Sequence, residues 1–199
     1  MAITAKAVAD LRAVTGAGMM DCKRALEQAD GNAEAAVKWL REKGIASAAK
    51  REGRAASEGY VAIYQHLGGK IGVMVEMNCE TDFVARNEEF QALAKELALQ
   101  VAFSNPQWLK AEDIPEAVLA QEREIAANQA RNDNKPEAAI PRIVEGRVKK
   151  FVEENCLLTQ PYVRDNSRQV GDLVQDLRAK LGEHLIVRRF VRFKVGQEA

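Results

Sequence analysis

From Ile71 to Cys79 every second residue is apolar (Ile71, Val73, Val75, Met77, Cys79), whereas the apolar residues of the first 45 positions recur at helical spacing. A chain whose hydrophobic period switches from about 3.6 to 2 folds neither as a pure helix bundle nor as an all-β sandwich. The alternating run is the second arm of a hairpin. Tyr60 to Leu67 and Lys70 to Cys79 flank Gly68-Gly69, and both glycines tolerate the positive φ that a tight reversal needs. Every inward residue of that arm is apolar, so it must cover a core.

Around the hairpin the pattern is helical. Thr4 suits an N-cap, Ile3 and Val8 hold the positions of a hydrophobic staple, and Val8, Leu11 and Val14 mark a buried face up to a stop at Gly16. A second helix is expected from about Met19 to Ala29, closed by Asp30-Gly31. A third, capped by Asn32, turns Ala36, Val37 and Leu40 inward and stops at Gly44. Residues 45 to 59 mix small side chains with Lys50, Arg51 and Arg54 and read as a partly helical linker. Beyond the hairpin, Phe90, Leu93, Ala94, Leu97 and Val101 predict a helix that ends at Asn105-Pro106. Another follows Pro115 to about Asn132, and a third begins at Pro136 or Pro141 and ends near Asn155. The tail reads as a strand around Leu157 to Val163, a helix from Val170 to Leu181 and a last strand from Leu185 to Val195. Strands and helices are mixed rather than alternating as βαβ units, which predicts an α+β protein. Residues 1–45 form a three-helix docking module, 46–59 a linker, and 60–199 a core of antiparallel sheet with helices.

Composition excludes several functions. No apolar run approaches the roughly 20 residues of a membrane helix, and the N-terminus carries no leader pattern, so the expected location is cytoplasmic. Three cysteines without CxxC spacing fit reduced thiols, and two histidines leave a zinc or nucleophile site short of groups, so neither metal nor cofactor is expected. Charges balance at 29 of each sign, but residues 60 to 136 carry 12 acidic and 7 basic side chains, unlike a nucleic-acid-binding domain.

Thr15-Gly16-Ala17-Gly18 lacks the preceding strand and the Lys-Ser/Thr of a phosphate loop and reads as a tight turn between helices. Glu76 and Glu80 stand four apart in a strand, about 13 Å, too far apart for paired acid/base work. Met19-Met20 opens a helix, and two adjacent side chains cannot both face one core, so at least one is available for contact. Arg188, Arg189, Arg192 and Lys194 fit a charged, solvated sheet edge better than an RNA contact. In Asn78 to Asn87 (NCETDFVARN) a strand gives way to a helix; Thr81 or Asp82 can cap it, and Phe83 sits at its mouth as either a packing staple or an exposed contact.

Thr15 to Leu26 (TGAGMMDCKRAL) and Asn78 to Asn87 resemble the two signature segments of the elongation factor Ts family, the exchange factors for elongation factor Tu. Glu145-Gly-Arg-Val-Lys-Lys-Phe151 and Gln160-Pro-Tyr-Val163 resemble its C-terminal half. The resemblance implies a ubiquitin-associated-like N-terminal bundle, no catalysis and no direct nucleotide binding. It implies that Thr81, Asp82, Phe83 and Val84 enter the GTPase near its Mg²⁺, and that Arg12, Met19, Met20 and Lys23 dock the bundle. With one core unit instead of two, the chain resembles the short form, which implies a homodimer and a two-to-two complex. The rival readings are an RNA-binding or ubiquitin-like-protein-binding module and, more remotely, an enzyme with a carboxylate site.

Overall fold

The computed structural model describes residues 3–15, 17–49 and 53–197. Gly16, Lys50 and Arg51, to which the sequence reading gave a helix stop and linker charges, lie outside the described residues. The described elements are α1 (Ala5–Thr15), α2 (Met19–Gln28), α3 (Ala33–Ala49), β1 (Glu58–His66), β2 (Ile71–Cys79), α4 (Asp82–Ala85), α5 (Glu88–Ser104), α6 (Glu116–Asn132), α7 (Ile140–Asn155), β3 (Pro161–Tyr162), β4 (Asp165–Gln169), α8 (Val170–Leu181) and β5 (Ile186–Lys194), with short 3-10 turns between some of them. The architecture is α+β, as the change of period predicts.

The described residues divide into two compact units. The first draws on Met1–Tyr60, Met77–Ala92 and Leu173–Ile186, and the second on Val61–Glu76, Leu93–Asp172 and Val187–Ala199. In the first unit α1, α2 and α3 pack around Val8, Leu11, Cys22, Ala25, Leu26 and Ala36, with Ile3, Trp39 and Leu40 closing the cluster. The expected caps form: Thr4 Oγ1 accepts from the Ala7 N–H at 3.2 Å, and Asn32 Oδ1 from the Ala35 N–H at 3.0 Å. Three expectations are corrected. Val14 is exposed, because six residues at 100° each carry it about 120° around the helix from Val8. Val37 is also exposed, one step of 100° from the fully buried Ala36. Gly44 does not stop α3, which continues to Ala49. It lets α3 approach α8, since a Cβ at Gly44 would stand 2.5 Å from that of Ala179.

The three-stranded sheet has the order β1-β2-β5. The hairpin turn places Leu67, Gly68 and Gly69 at φ of 52°, 66° and 87°. The four-residue connection makes β1 and β2 antiparallel. β5 also opposes β2, because the Val195 N–H donates to the Lys70 carbonyl while Arg189 meets Glu76. Ile71, Val73, Val75, Met77 and Cys79 are all buried, as their alternation predicts. In the second unit α5 buries Leu97 and Val101, and α6 and α7 pack along each other. Pro141 sits in the first turn of α7, where the missing N–H costs nothing. The strand expected over Leu157 to Val163 is mostly absent. Leu157–Thr159 is a 3-10 turn, and only Pro161–Tyr162 pairs, with the unforeseen strand β4. Buried Gln100 decides this: its Oε1 accepts from the Val163 N–H at 2.8 Å and its Nε2 donates to the Pro161 carbonyl at 3.1 Å, taking the place of a ladder.

Candidate functional site

Where β2 ends, the chain makes one short turn of helix, α4, and its residues are the ones the sequence singles out. Thr81 is the cap: its Oγ1 accepts from the Val84 N–H at 3.4 Å. Asp82 is left to pair with Arg86 at 2.7 Å, the guanidinium largely in water and the carboxylate about half so. Phe83 is not a packing staple; 81% of it is exposed. Val84 is half-buried, and Ala85 is the buried foot of the turn.

The anchors of this turn come from a distant part of the chain, where sequence spacing holds no signal. Glu183, in the turn between α8 and β5, accepts the Thr81 hydroxyl at 2.6 Å on Oε1, and the N–H groups of Glu80 and Thr81 at 3.1 Å on Oε2. Glu80 reciprocates: its Oε1 accepts the His184 N–H at 2.7 Å, and its Oε2 meets Arg54 at 3.2 Å. Glu80 is therefore an anchor, and Glu76 is engaged with Arg189 at 2.6 Å, so the remaining carboxylate candidates are bound up in structural contacts. Behind the turn the Cys79 thiol donates to the Thr81 carbonyl at 3.2 Å. Burial, assisted by the Glu183 charge, pushes that thiol up to about 11.

The second group of candidates lies on α1 and α2. Arg12, Met19, Met20 and Lys23 all line one groove, of about 670 Å³, together with Ile3 and Val8. Met19 and Met20 are both exposed, in keeping with the expectation that the pair cannot share one core. Asp21 faces the other way and ties α2 to α3 through Lys43 at 2.8 Å. The Lys43 bond holds its carboxyl below the ordinary value of 3.8. The turn before α2 is closed by Thr15, whose Oγ1 accepts from the Ala17 N–H and donates to the Leu11 carbonyl.

An exposed phenylalanine on a braced turn, together with a methionine-lined groove, marks a protein that acts by docking on another protein. The elongation factor Ts family model matches residues 2–197. The chain is 55% identical over 195 residues to the elongation factor Ts of Thermoanaerobacter sp. (strain X514), covering 98% of this chain and 96% of that one. It is equally identical, at the same coverage, to that of Moorella thermoacetica. Against that of Nitratidesulfovibrio vulgaris it is 54% identical over 198 residues, covering 100% and 99%. The chain belongs to the elongation factor Ts family, the non-catalytic nucleotide exchange factors of elongation factor Tu. Membership sets aside the RNA-binding, ubiquitin-like-protein-binding and enzymatic alternatives, and a translation factor of this kind works in the cytoplasm. Separately, no helix among the described residues is long and apolar enough to cross a membrane.

Proposed function

We propose that this chain accelerates GDP release by driving Phe83 into an apolar pocket of the elongation factor Tu nucleotide domain, while Asp82 disturbs the loop that orders Mg²⁺. Thr81 and Val84 shape the entering turn, and Arg12, Met19, Met20 and Lys23 dock the bundle. In this reading residues 1–45 are the docking domain, 46–59 the connection, and 60–199 the part that dimerises and grips a second surface of the partner. The observation that carries it is the 81% exposure of Phe83 on a capped turn. The Asp82–Arg86 pair is no obstacle, since an exposed pair of this spacing is worth only about 0.3–0.5 kcal/mol.

Exchange requires binding the nucleotide-poor partner more tightly than the GDP-bound one, and by reciprocity GDP then expels the factor equally. A thousandfold weakening of GDP takes about 4 kcal/mol. Burying one Phe yields about 1.5–3 kcal/mol, so the wedge needs the groove's contribution as well. The homodimer finds support in the second unit, where the outer face of the sheet is apolar. Ile63, Met74 and Val191 stand side by side on β1, β2 and β5, with Phe193 and Val195 further along, and all are exposed.

Release of mant-GDP from elongation factor Tu, followed against factor concentration, tests the reading. Phe83→Ala should lower the maximal rate about tenfold or more, while the paired change Met19→Ala/Met20→Ala should raise the half-saturating concentration. A folded Phe83→Ala protein with full stimulation would overturn the wedge.

A further inference from the structure

We propose that Glu183 is the positioning residue of the exchange wedge, fixing the direction in which Phe83 leaves the protein; the inference rests on Phe83 acting as that wedge. A helix of four residues does not hold itself, and Phe83, 81% exposed, has almost no packing to aim it. Its direction is therefore set by the backbone from Glu80 to Ala85, and the donors of Glu80 and Thr81 converge on one carboxylate.

The chemistry of that carboxylate matters beyond its reach. An ionised carboxylate only accepts, so the Thr81 hydroxyl must donate its proton to Glu183 at 2.6 Å. Its lone pairs then point to the Val84 N–H, which starts the turn bearing Phe83. Glu183 thus orders the cap as well as the loop. A glutamine there would set an NH₂ group against one of these donors, and either the cap or the loop would let go.

The mount behind Glu183 is firm and continuous with the docking bundle. Glu183 follows α8, which Lys180 ties to Glu89 of α5 at 2.6 Å, and which Arg41 of α3 meets through Asp176 at 3.5 Å. Gly44 of α3 sits against Ala179 of the same helix. The His184 N–H, held by Glu80, locks the far side of the turn. The groove-bearing bundle and the wedge therefore share one compact unit, so Glu183 carries the position of the bundle through to the ring.

The test uses the full chain and mant-GDP release from elongation factor Tu across factor concentrations. Glu183→Gln should lower the maximal release rate about tenfold, the worth of one charge-assisted hydrogen bond, while the half-saturating concentration, set by the bundle groove, stays as in the unaltered chain. The double variant Glu183→Gln/Phe83→Ala should lose clearly less than the product of the two single effects, because with the ring gone only Asp82 on the same turn is left to position. If Glu183→Gln unfolds the chain, Thr81→Val removes the same hydroxyl from the other side and should reproduce the loss, with Thr81→Ser restoring the rate. A full maximal rate in Glu183→Gln or Thr81→Val, with Phe83→Ala impaired, overturns this inference alone. A double variant slower than Phe83→Ala by the whole Glu183→Gln factor also overturns it. Full stimulation by Phe83→Ala removes the wedge and this inference together.

Discussion

Phe83 leaves its ring in water, while four residues earlier Cys79 is sealed away completely. Exposing a phenyl ring forgoes about 1.5–3 kcal/mol of burial, which the proposed docking of Phe83 on a partner would recover. The thiol behind it is shielded: buried, bonded to the Thr81 carbonyl and near the Glu183 charge, it is held up to about 11 against an ordinary value of 9.0. The sign follows from where the proton is held. A group whose value is raised by folding contributes stability below its unfolded value and loses it as pH climbs to the folded one, so this contribution fades between pH 9.0 and about 11. Cys22 and Cys156 are buried as well. Ellman's reagent at pH 8 should therefore find no fast-reacting thiol in the native protein and three after denaturation; a rapid native equivalent that persists in Cys22→Ser/Cys156→Ser would contradict the sealing of Cys79. At this scale the sequence made the identities of Thr81, Asp82 and Phe83 legible, and the cap between Thr81 and Val84 was one of two it allowed. Whether Phe83 packed or stood free was not legible, because helical spacing offers both outcomes to a ring at the mouth of a helix.

Elements were legible where a local rule decides them. The hairpin, the caps at Thr4 and Asn32, and the helix Val170–Leu181 all follow from short-range chemistry. Two failures share a different cause. Gly44 reads as a stop because glycine is a poor helix former, yet α3 passes through it, since the missing side chain is what α8 packs against. β4, Asp-Asn-Ser-Arg-Gln, to which the sequence gives no element, pairs as a strand with the segment that Gln100 on α5 holds. The first case gives a prediction whose sign is opposite to helix propensity. Gly44→Ala should gain about 1 kcal/mol from propensity but lose about 1–3 kcal/mol from overpacking against Ala179. Denaturant unfolding should thus show a net destabilisation of about 1 kcal/mol; a stabilised variant would mean that α3 and α8 part freely.

At the scale of the whole molecule, the apolar outer face of the sheet bears on the proposed dimer. Ile63 lies on the edge strand β1 of that face and is 68% exposed, so it contributes little to the fold of one chain. Ile63→Glu would force two like charges together across a face-to-face pairing. Light scattering should then give half the native mass at an almost unchanged unfolding midpoint for the single chain; an unaltered mass would overturn the proposed pairing through this face. By itself the sequence determined what depends on near neighbours: the change of period at residue 60, the turn at Gly68-Gly69, and the two signature segments that assign the family. Only the tertiary structure decided that Glu183 reaches Thr81, that Gly44 faces Ala179, and that Arg12, Met19, Met20 and Lys23 line one groove. The physical reason is separation along the chain. A cap or a turn is settled within four residues, whereas a carboxylate 102 residues from its hydroxyl meets it only because α8 and β2 have already been packed into place.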